Sequence, residues 1–264
     1  QQKQEQQQQQ EQLIELVCNP DTTVSQMDEA KVDKALICAW YNHSGEAWIS
    51  NEEVMKFASQ HPSRLLPVLS HSFLSPLAAL QEIRGYFEQT PSHSHPKPVG
   101  VRIIPWLLQT TIDNARFYPI FAYLCEHRIP LFIQVGWTGP LRSSEYGRPI
   151  PYLENVLLHF PELIVVCGHI GQPWLDEVIF LTSKFENVYI DTSAYKPSRF
   201  PPTLIDFMKS KRGSKKVMYG TNYPMISFQD SMKGLDLDDE TKALYLRGNA
   251  ERVLFNNNKN PSKL

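Results

Sequence analysis

The chain has 264 residues, a length at which an α/β barrel of about 250 residues forms a single domain. Hydrophobic residues make up 42% of it, which excludes wholesale disorder, and no apolar run approaches the ~18 residues that cross a bilayer. The 26 basic and 28 acidic side chains give a net charge of −2, which predicts neither a nucleic-acid nor a membrane partner. The four cysteines are scattered and no secretory signal is visible, so the expected location is the cytoplasm.

Composition divides the chain into three parts. Residues 1–12 form a low-complexity tract dominated by glutamine, and residues 256–264 form a polar tail. Residues 13–255 alternate regularly between strand-like and helix-like segments without a second composition regime. They are therefore predicted to form one α/β domain.

Seven short runs rich in β-branched residues predict strands. Most of these runs are continuously apolar rather than alternating, as expected for parallel strands that are buried on both faces. They lie at residues 34–40, 64–70, 98–106, 130–136, 163–171, 187–195 and 216–224.

Helix signals fill the intervening stretches. Ser50 followed by Glu53 predicts a capping box, and Ser75-Pro76 predicts an N-cap followed by a proline in the first turn. Further helices are predicted after Asp113, from Pro173, and from Asp238 or Asp239.

Seven strands of this kind fit either an open doubly wound sheet or a barrel that lacks one strand. A doubly wound nucleotide-binding protein would carry a glycine-rich phosphate loop after its first strand, and the sequence contains neither G-x-G-x-x-G nor a Walker motif. Polar residues instead follow the strands at their carboxyl ends, where barrel active sites form. The prediction is a TIM-barrel-like (β/α)8 fold whose first strand is missing or substituted.

The strand-end residues, in chain order, are Asn42, His43, His71, Arg102, Gln134, His169, Asp191, Ser193 and Asn222. Together with several longer segments they resemble the amidohydrolase-related branch of the amidohydrolase superfamily, which includes aminocarboxymuconate-semialdehyde decarboxylase-like proteins. The similar segments are MDEAKVDKALI, RFYPIFAYLCEHRIPLFIQVG, VVCGHIGQPWLDEVIFLTSKFENVYIDTSAY, KVMYGTNYP and GNAERVL, which span most of the chain.

The resemblance implies a metal centre in which an H-x-H pair on strand one and histidines ending strands five and six act with an aspartate ending strand eight. This chain keeps the strand-six histidine as His169, but Gln134 stands at the strand-five position and Asn222 at the strand-eight position. No H-x-H strand precedes Met27. Neutral amides are weak zinc ligands and supply no negative charge, so neither a metal nor another cofactor is expected.

The resemblance and the strand-end positions together give the predicted site. His169, Asn222 and Gln134 occupy the positions of the catalytic centre. Arg102, Asp191 and His71 are the predicted substrate-binding residues, with the Arg102 guanidinium suited to a carboxylate. Asp191 is also expected either to cap a following turn or to orient the His169 ring.

Three functions remain open from the sequence. The first is a barrel derived from metal-dependent hydrolases or decarboxylases that binds a small carboxylated molecule without metal or turnover. The second is an active hydrolase or carboxy-lyase, either metal-independent or with its first strand outside this chain. The third is a non-catalytic interaction module.

A missing strand would leave two unpaired sheet edges, which favours association between copies of the chain.

Overall fold

The computed structural model describes residues 19–92, 95–223 and 225–255. Parallel strands alternate with helices around one sheet, so the predicted α/β class is confirmed. The glutamine tract, the segment 13–18 and the polar tail lie outside the described residues. No helix within those ranges is long and apolar enough to cross a membrane.

Seven parallel strands form the main sheet, and a small antiparallel hairpin follows the first of them. The hairpin strands are β2 (Trp40–Tyr41) and β3 (Ala47–Ile49). The sheet strands, in spatial order, are β1 (Ala35–Cys38), β4 (Leu65–Leu69), β5 (Gly100–Ile103), β6 (Leu131–Gln134), β7 (Val165–Gly168), β8 (Val188–Asp191) and β9 (Val217–Met218).

Ten α-helices are described, and those between consecutive sheet strands complete the βα units. They are α1 (Pro20–Ala30), α2 (Asn51–Ala58), α3 (Pro76–Glu88), α4 (Pro105–Leu108), α5 (Tyr118–His127), α6 (Tyr152–His159), α7 (Leu175–Lys184), α8 (Pro202–Lys209), α9 (Phe228–Met232) and α10 (Asp239–Ala243). Two π-helical turns, Leu244–Gly248 and Glu251–Phe255, follow α10.

The sheet curls around an inner cluster of side chains. Val68 on β4, Phe132 on β6 and Met218 on β9 belong to this one cluster, although these strands are far apart in the sheet order. The alternate residues of the strands face outward into a larger core beneath the helices. The fold is therefore TIM-barrel-like, and within the described residues β1 and β9 are unpaired sheet edges, as the predicted loss of one strand requires.

Every sheet strand is shorter than the run that predicts it, and in one run the backbone changes from strand to helix. The run 98–106 predicts a strand throughout, but β5 ends at Ile103 and Pro105 begins the short helix α4. Proline fits the first turn of a helix, where its missing N–H costs no hydrogen bond. A continuous apolar run does not reveal this change from strand to helix, because the residues of α4 are all buried as well.

The capping box at the start of α2 is confirmed. The Ser50 hydroxyl accepts a hydrogen bond from the Glu53 amide, and the Glu53 carboxylate accepts one from the Ser50 amide. Ser75 occupies the same position before α3 but makes no side-chain capping hydrogen bond. The predicted boundary of α3 is right, whereas the cap itself is not formed.

Replacing Ser50 by alanine should lower the free energy of unfolding by about 1 kcal/mol, because the capping hydrogen bonds are lost. Ser75→Ala is the matched control and should change the free energy of unfolding much less. Urea denaturation of the two variants and the wild type measures both effects. Equal losses in the two variants would contradict the role assigned to the Ser50 side chain.

Candidate functional site

A cavity of about 1380 Å³, which we call the cleft, opens at the carboxyl ends of the strands and continues along the gap between β1 and β9. Leu36 of β1 and Met218 of β9 line its open side. Five of the six predicted site residues line the cleft: Arg102, Gln134, His169, Asp191 and Asn222. The sixth, His71, lies elsewhere.

Arg102 places a guanidinium in the cleft. Val101 and Ile103 on either side of it face outward, so Arg102 faces inward. The Ser70 hydroxyl donates a hydrogen bond to the Arg102 carbonyl at 2.9 Å. The guanidinium lies over the Trp40 ring, 4.7 Å from the ring centroid. Among the described residues no carboxylate lies within 4.0 Å of it, so its charge has no ion-pair partner in that part of the chain.

Asp191 ends β8 as a partly buried carboxyl group that lines the cleft. Its two oxygens accept hydrogen bonds from the Ser193 amide at 2.7 Å and the Ser193 hydroxyl at 3.1 Å. Burial raises the pKa of Asp191, while these hydrogen bonds and the Arg102 charge oppose the rise. The carboxylate fits because Gly220 has no side chain: a Cβ atom there would lie 1.8 Å from Asp191 Oδ1.

His169 follows β7 in a left-handed backbone conformation, with φ of 72°. Ile170 and Gly171 also have positive φ, which is an unusual run and strained at the β-branched Ile170. Burial lowers the pKa of His169 to about 4, and the Arg102 charge acts in the same direction. The imidazole is therefore neutral at pH 7 and offers one donor and one acceptor nitrogen.

Of the two roles expected for Asp191, the structure shows the cap of the following turn and no contact with His169. Both oxygens of Asp191 are bonded to Ser193, and in the described part of the chain the His169 ring has no hydrogen-bond partner. The tautomer of His169 is consequently not fixed by Asp191. The positive charge of Arg102 acts on both side chains and lowers the pKa of each.

Gln134 ends β6 and is only 7% exposed. Along β6, Phe132 packs in the inner cluster and Ile133 packs in the outer core. Because successive side chains of a strand point to opposite faces, Gln134 faces the interior of the sheet, as Phe132 does. Its Oε1 atom is buried without a hydrogen-bond partner. A buried acceptor left unsatisfied costs about 1–3 kcal/mol, so Gln134 is accommodated at this position at a cost in stability.

The two remaining predicted residues differ in their positions. Asn222 lies beyond β9 on the exposed rim of the cleft. His71 lies behind β4 instead: its ring stacks on Tyr41 with centroids 5.5 Å apart, its Nδ1 accepts from the Phe73 amide, and its Nε2 is 3.4 Å from Glu82. These contacts make His71 part of the packing between the hairpin and α3, away from the cleft.

Sequence reasoning missed two residues next to Arg102. Trp40 belongs to the hairpin and carries the guanidinium on its ring. Cys38 ends β1 and lines the cleft; burial raises the pKa of its thiol, and the Arg102 charge opposes that rise. The position of Cys38 at a strand end is an available signal for it, whereas Trp40 has none because the sequence pattern does not predict the hairpin.

The residues of the cleft do not fit the divalent metal that the resemblance implies. Within the described ranges, no three His, Cys, Asp or Glu side chains are close enough together to hold a metal ion. The Arg102 guanidinium already acts on both His169 and Asp191 and would repel a second cation at the same place. No step of the chemistry is therefore assigned to a metal.

A family model described as amidohydrolase matches residues 39–255. Among solved structures, an uncharacterised TIM-barrel protein from Bordetella bronchiseptica is 24% identical, with a TM-score of 0.75 over 89% of this chain and 82% of that chain. No curated protein matches significantly.

Two decarboxylases of known structure share the fold. The 5-carboxyvanillate decarboxylase of Novosphingobium aromaticivorans, in complex with manganese and 4-hydroxy-3-methoxy-5-nitrobenzoic acid, is 19% identical, with a TM-score of 0.65 over 88% of this chain and 79% of that chain. The 2,6-dihydroxybenzoate decarboxylase of Rhizobium is 14% identical, with a TM-score of 0.65 over 89% and 87%. The family model covers well over half of the sequence, and with the strand order described above it shows that the chain belongs to the amidohydrolase family.

Proposed function

We propose that the cleft binds a small carboxylated molecule without a metal ion and without turning it over. The observation that carries this proposal is the Arg102 guanidinium, which lies in the cleft with no carboxylate of the described residues paired to it. A partly buried guanidinium that no carboxylate contacts directly favours an anionic ligand, and its planar fork matches a carboxylate with two parallel hydrogen bonds.

The neighbouring side chains support the same ligand. Neutral His169 can donate a hydrogen bond to a carboxylate oxygen without adding a charge. The hairpin residues Trp40 and Trp48, with Met218 of β9, give the cleft apolar surface against which a carbon skeleton can pack. The two decarboxylases with this fold are named for aromatic carboxylates, which have this combination of a carboxylate and an apolar body.

Loss of turnover is proposed from the strand-five and strand-eight positions. Gln134 and Asn222 are amides, and an amide neither accepts a proton near neutral pH nor binds zinc well. The proposed setting is the cytoplasm. Three cysteines, Cys38, Cys125 and Cys167, are free thiols, which supports a reducing compartment.

Removing the guanidinium tests the proposal. Arg102→Ala should weaken the binding of succinate and benzoate about 100-fold, because a charge-assisted hydrogen-bonded pair contributes about 3 kcal/mol. Isothermal titration calorimetry measures the two affinities. The control is Arg84→Ala on α3, whose guanidinium also lies over an aromatic ring, 5.4 Å from the Tyr123 centroid, but outside the cleft. Unchanged affinity in Arg102→Ala would refute the proposal.

A carboxy-lyase is the second candidate, and Asp191 favours it. Loss of carbon dioxide leaves a carbanion that must receive a proton, and burial raises the pKa of Asp191, which favours the protonated form that can donate one. This candidate would be supported if the wild-type protein releases carbon dioxide from a carboxylate and Asp191→Asn still binds the carboxylate but releases none. The metal-free proposal would be wrong if elemental analysis finds about one tightly held metal ion per chain and His169→Ala loses that ion.

A further inference from the structure

The Arg102 guanidinium is held by an aromatic ring rather than by a carboxylate. Its Cζ atom lies 4.7 Å from the centroid of the Trp40 ring, and no carboxylate of the described residues lies within 4.0 Å of it. Stacking covers one face of the guanidinium plane and leaves the in-plane N–H groups, which are the donors that a carboxylate needs. The Trp40 ring therefore restrains the cation without competing for the ligand that the cation binds.

The hairpin strand β2 fixes Trp40 through two neighbours. The Trp40 ring packs against a buried cluster at the start of α4, formed by Ile104, Trp106 and Leu107. The next residue, Tyr41, stacks on the His71 ring behind β4, with the centroids 5.5 Å apart and an angle of 12° between the planes. One residue of β2 thus contacts the cation of the cleft, and the next anchors the hairpin outside the cleft.

His71 is itself held from two sides. Its Nδ1 atom accepts a hydrogen bond from the Phe73 amide at 3.0 Å, so Nε2 carries the proton of the neutral ring and lies 3.4 Å from Glu82 Oε2. The hydrogen bond from His71 lowers the pKa of Glu82, while burial opposes this change. Because Glu82 lies on α3, the His71 ring ties the hairpin to that helix.

Building on the proposed function, we infer that Trp40 is a positioning residue whose ring holds the Arg102 guanidinium in the orientation that receives the ligand carboxylate. His71 supports this orientation from outside the cleft, because its stack on Tyr41 fixes the strand that carries Trp40. His71 therefore acts on the ligand only through the hairpin, in place of the direct substrate contact predicted for it.

Two substitutions of Trp40 separate the aromatic ring from its bulk. Leucine keeps an apolar side chain against the α4 cluster but has no π face for the cation, whereas phenylalanine keeps one. Trp40→Leu should weaken the binding of succinate about tenfold, and Trp40→Phe should bind it within about threefold of the wild type. Succinate is the diagnostic ligand because it has little apolar surface to pack on the ring itself. Isothermal titration calorimetry gives the affinities.

A control and a double mutant show whether Trp40 acts through Arg102. Trp174→Leu removes another tryptophan that lies beneath a guanidinium, 5.9 Å from Arg148 Cζ, but outside the cleft, and should leave the affinity for succinate unchanged. In Arg102→Ala, adding Trp40→Leu should weaken binding less than twofold further, because no guanidinium remains to be held.

His71 provides a test that leaves the cleft intact. His71→Ala and His71→Phe both lose the hydrogen bonds to Phe73 and Glu82, so both should unfold at a lower temperature than the wild type. Only His71→Ala also loses the ring that stacks on Tyr41, and only this variant should bind succinate more weakly, by about threefold. Affinity that follows the ring rather than the melting temperature cannot be ascribed to general destabilisation.

The outcomes are distinct. Wild-type affinity for succinate in Trp40→Leu, with binding still dependent on Arg102, would overturn the inference and leave the proposed function standing. Equal losses in Trp40→Leu and Trp40→Phe, or in His71→Ala and His71→Phe, would show that the rings are not the cause and would also overturn it. If neither succinate nor benzoate binds the wild-type protein, the proposed function fails, and the inference that rests on it fails with it.

Discussion

Gly220→Ala should lower the free energy of unfolding by about 3 kcal/mol and abolish carboxylate binding. The new Cβ atom would lie 1.8 Å from Asp191 Oδ1, 2.9 Å from its Cγ and 3.0 Å from the Ser193 amide nitrogen. The carboxylate cannot simply rotate away, because it is partly buried and held by two hydrogen bonds from Ser193. Forcing extra volume into such a site costs roughly 1–3 kcal/mol, and displaced hydrogen bonds add to it.

Gly85→Ala is the control for this substitution. Gly85 lies inside α3, and no atom lies within 4 Å of the position that its Cβ would occupy. Alanine there should stabilise the protein by about 0.5–1 kcal/mol, because glycine is a poor helix former. Urea denaturation should therefore show opposite signs for the two glycine-to-alanine variants.

A double mutant shows whether the clash with Asp191 is the cause. In Asp191→Ala the carboxylate oxygens are absent, so adding Gly220→Ala should cost much less than it costs in the wild-type protein. A residual loss is expected from the Ser193 amide, which stays 3.0 Å from the new Cβ. If the two losses are simply additive, the destabilisation arises elsewhere and the steric explanation is wrong.

The strands of this fold are predictable because burial on both faces leaves a plain signal. Seven apolar runs at βα spacing correspond to the seven parallel strands, and their order along the chain is their order in the sheet. The end of β5 is not predictable in this way because Ile104 and Trp106 remain buried after the backbone turns into α4. The hairpin escapes prediction because β2 has two residues and β3 has three, too few to show periodicity.

The composition of the cleft is more predictable than its contacts. Polar residues at the carboxyl ends of parallel strands meet at one edge, so their positions in the sequence alone predict that Arg102, Gln134, His169 and Asp191 lie together. His71 satisfies the same rule, but its ring turns toward Tyr41 and Glu82 instead. A strand-end position gives the edge on which a residue lies, whereas the direction of its side chain depends on neighbours brought from distant segments.

His169 should make the protein sensitive to mild acid. Its pKa is lowered to about 4 in the folded protein, chiefly by burial and further by the Arg102 charge, against 6.5 for the free side chain. Between these pH values the unfolded chain binds more protons than the folded chain, so stability is complete above pH 6.5 and falls as the pH drops toward 4. The full shift corresponds to a loss of about 3 kcal/mol, as an upper bound.

His169→Asn should remove this part of the pH dependence, because asparagine does not titrate and tolerates the left-handed backbone at φ of 72°. Asp191 acts in the opposite direction: burial raises the pKa of its carboxyl, so acid relieves the cost of burying its charge. The variant should therefore lose less stability than the wild type between about pH 7 and pH 4.5, by urea denaturation at each pH. His127→Gln, at half-exposed His127 on the end of α5, is the control for removing a histidine outside the cleft. Parallel curves for the wild type and His169→Asn would mean that the acid sensitivity comes from other groups and that the His169 ring is protonated in the cleft at no cost.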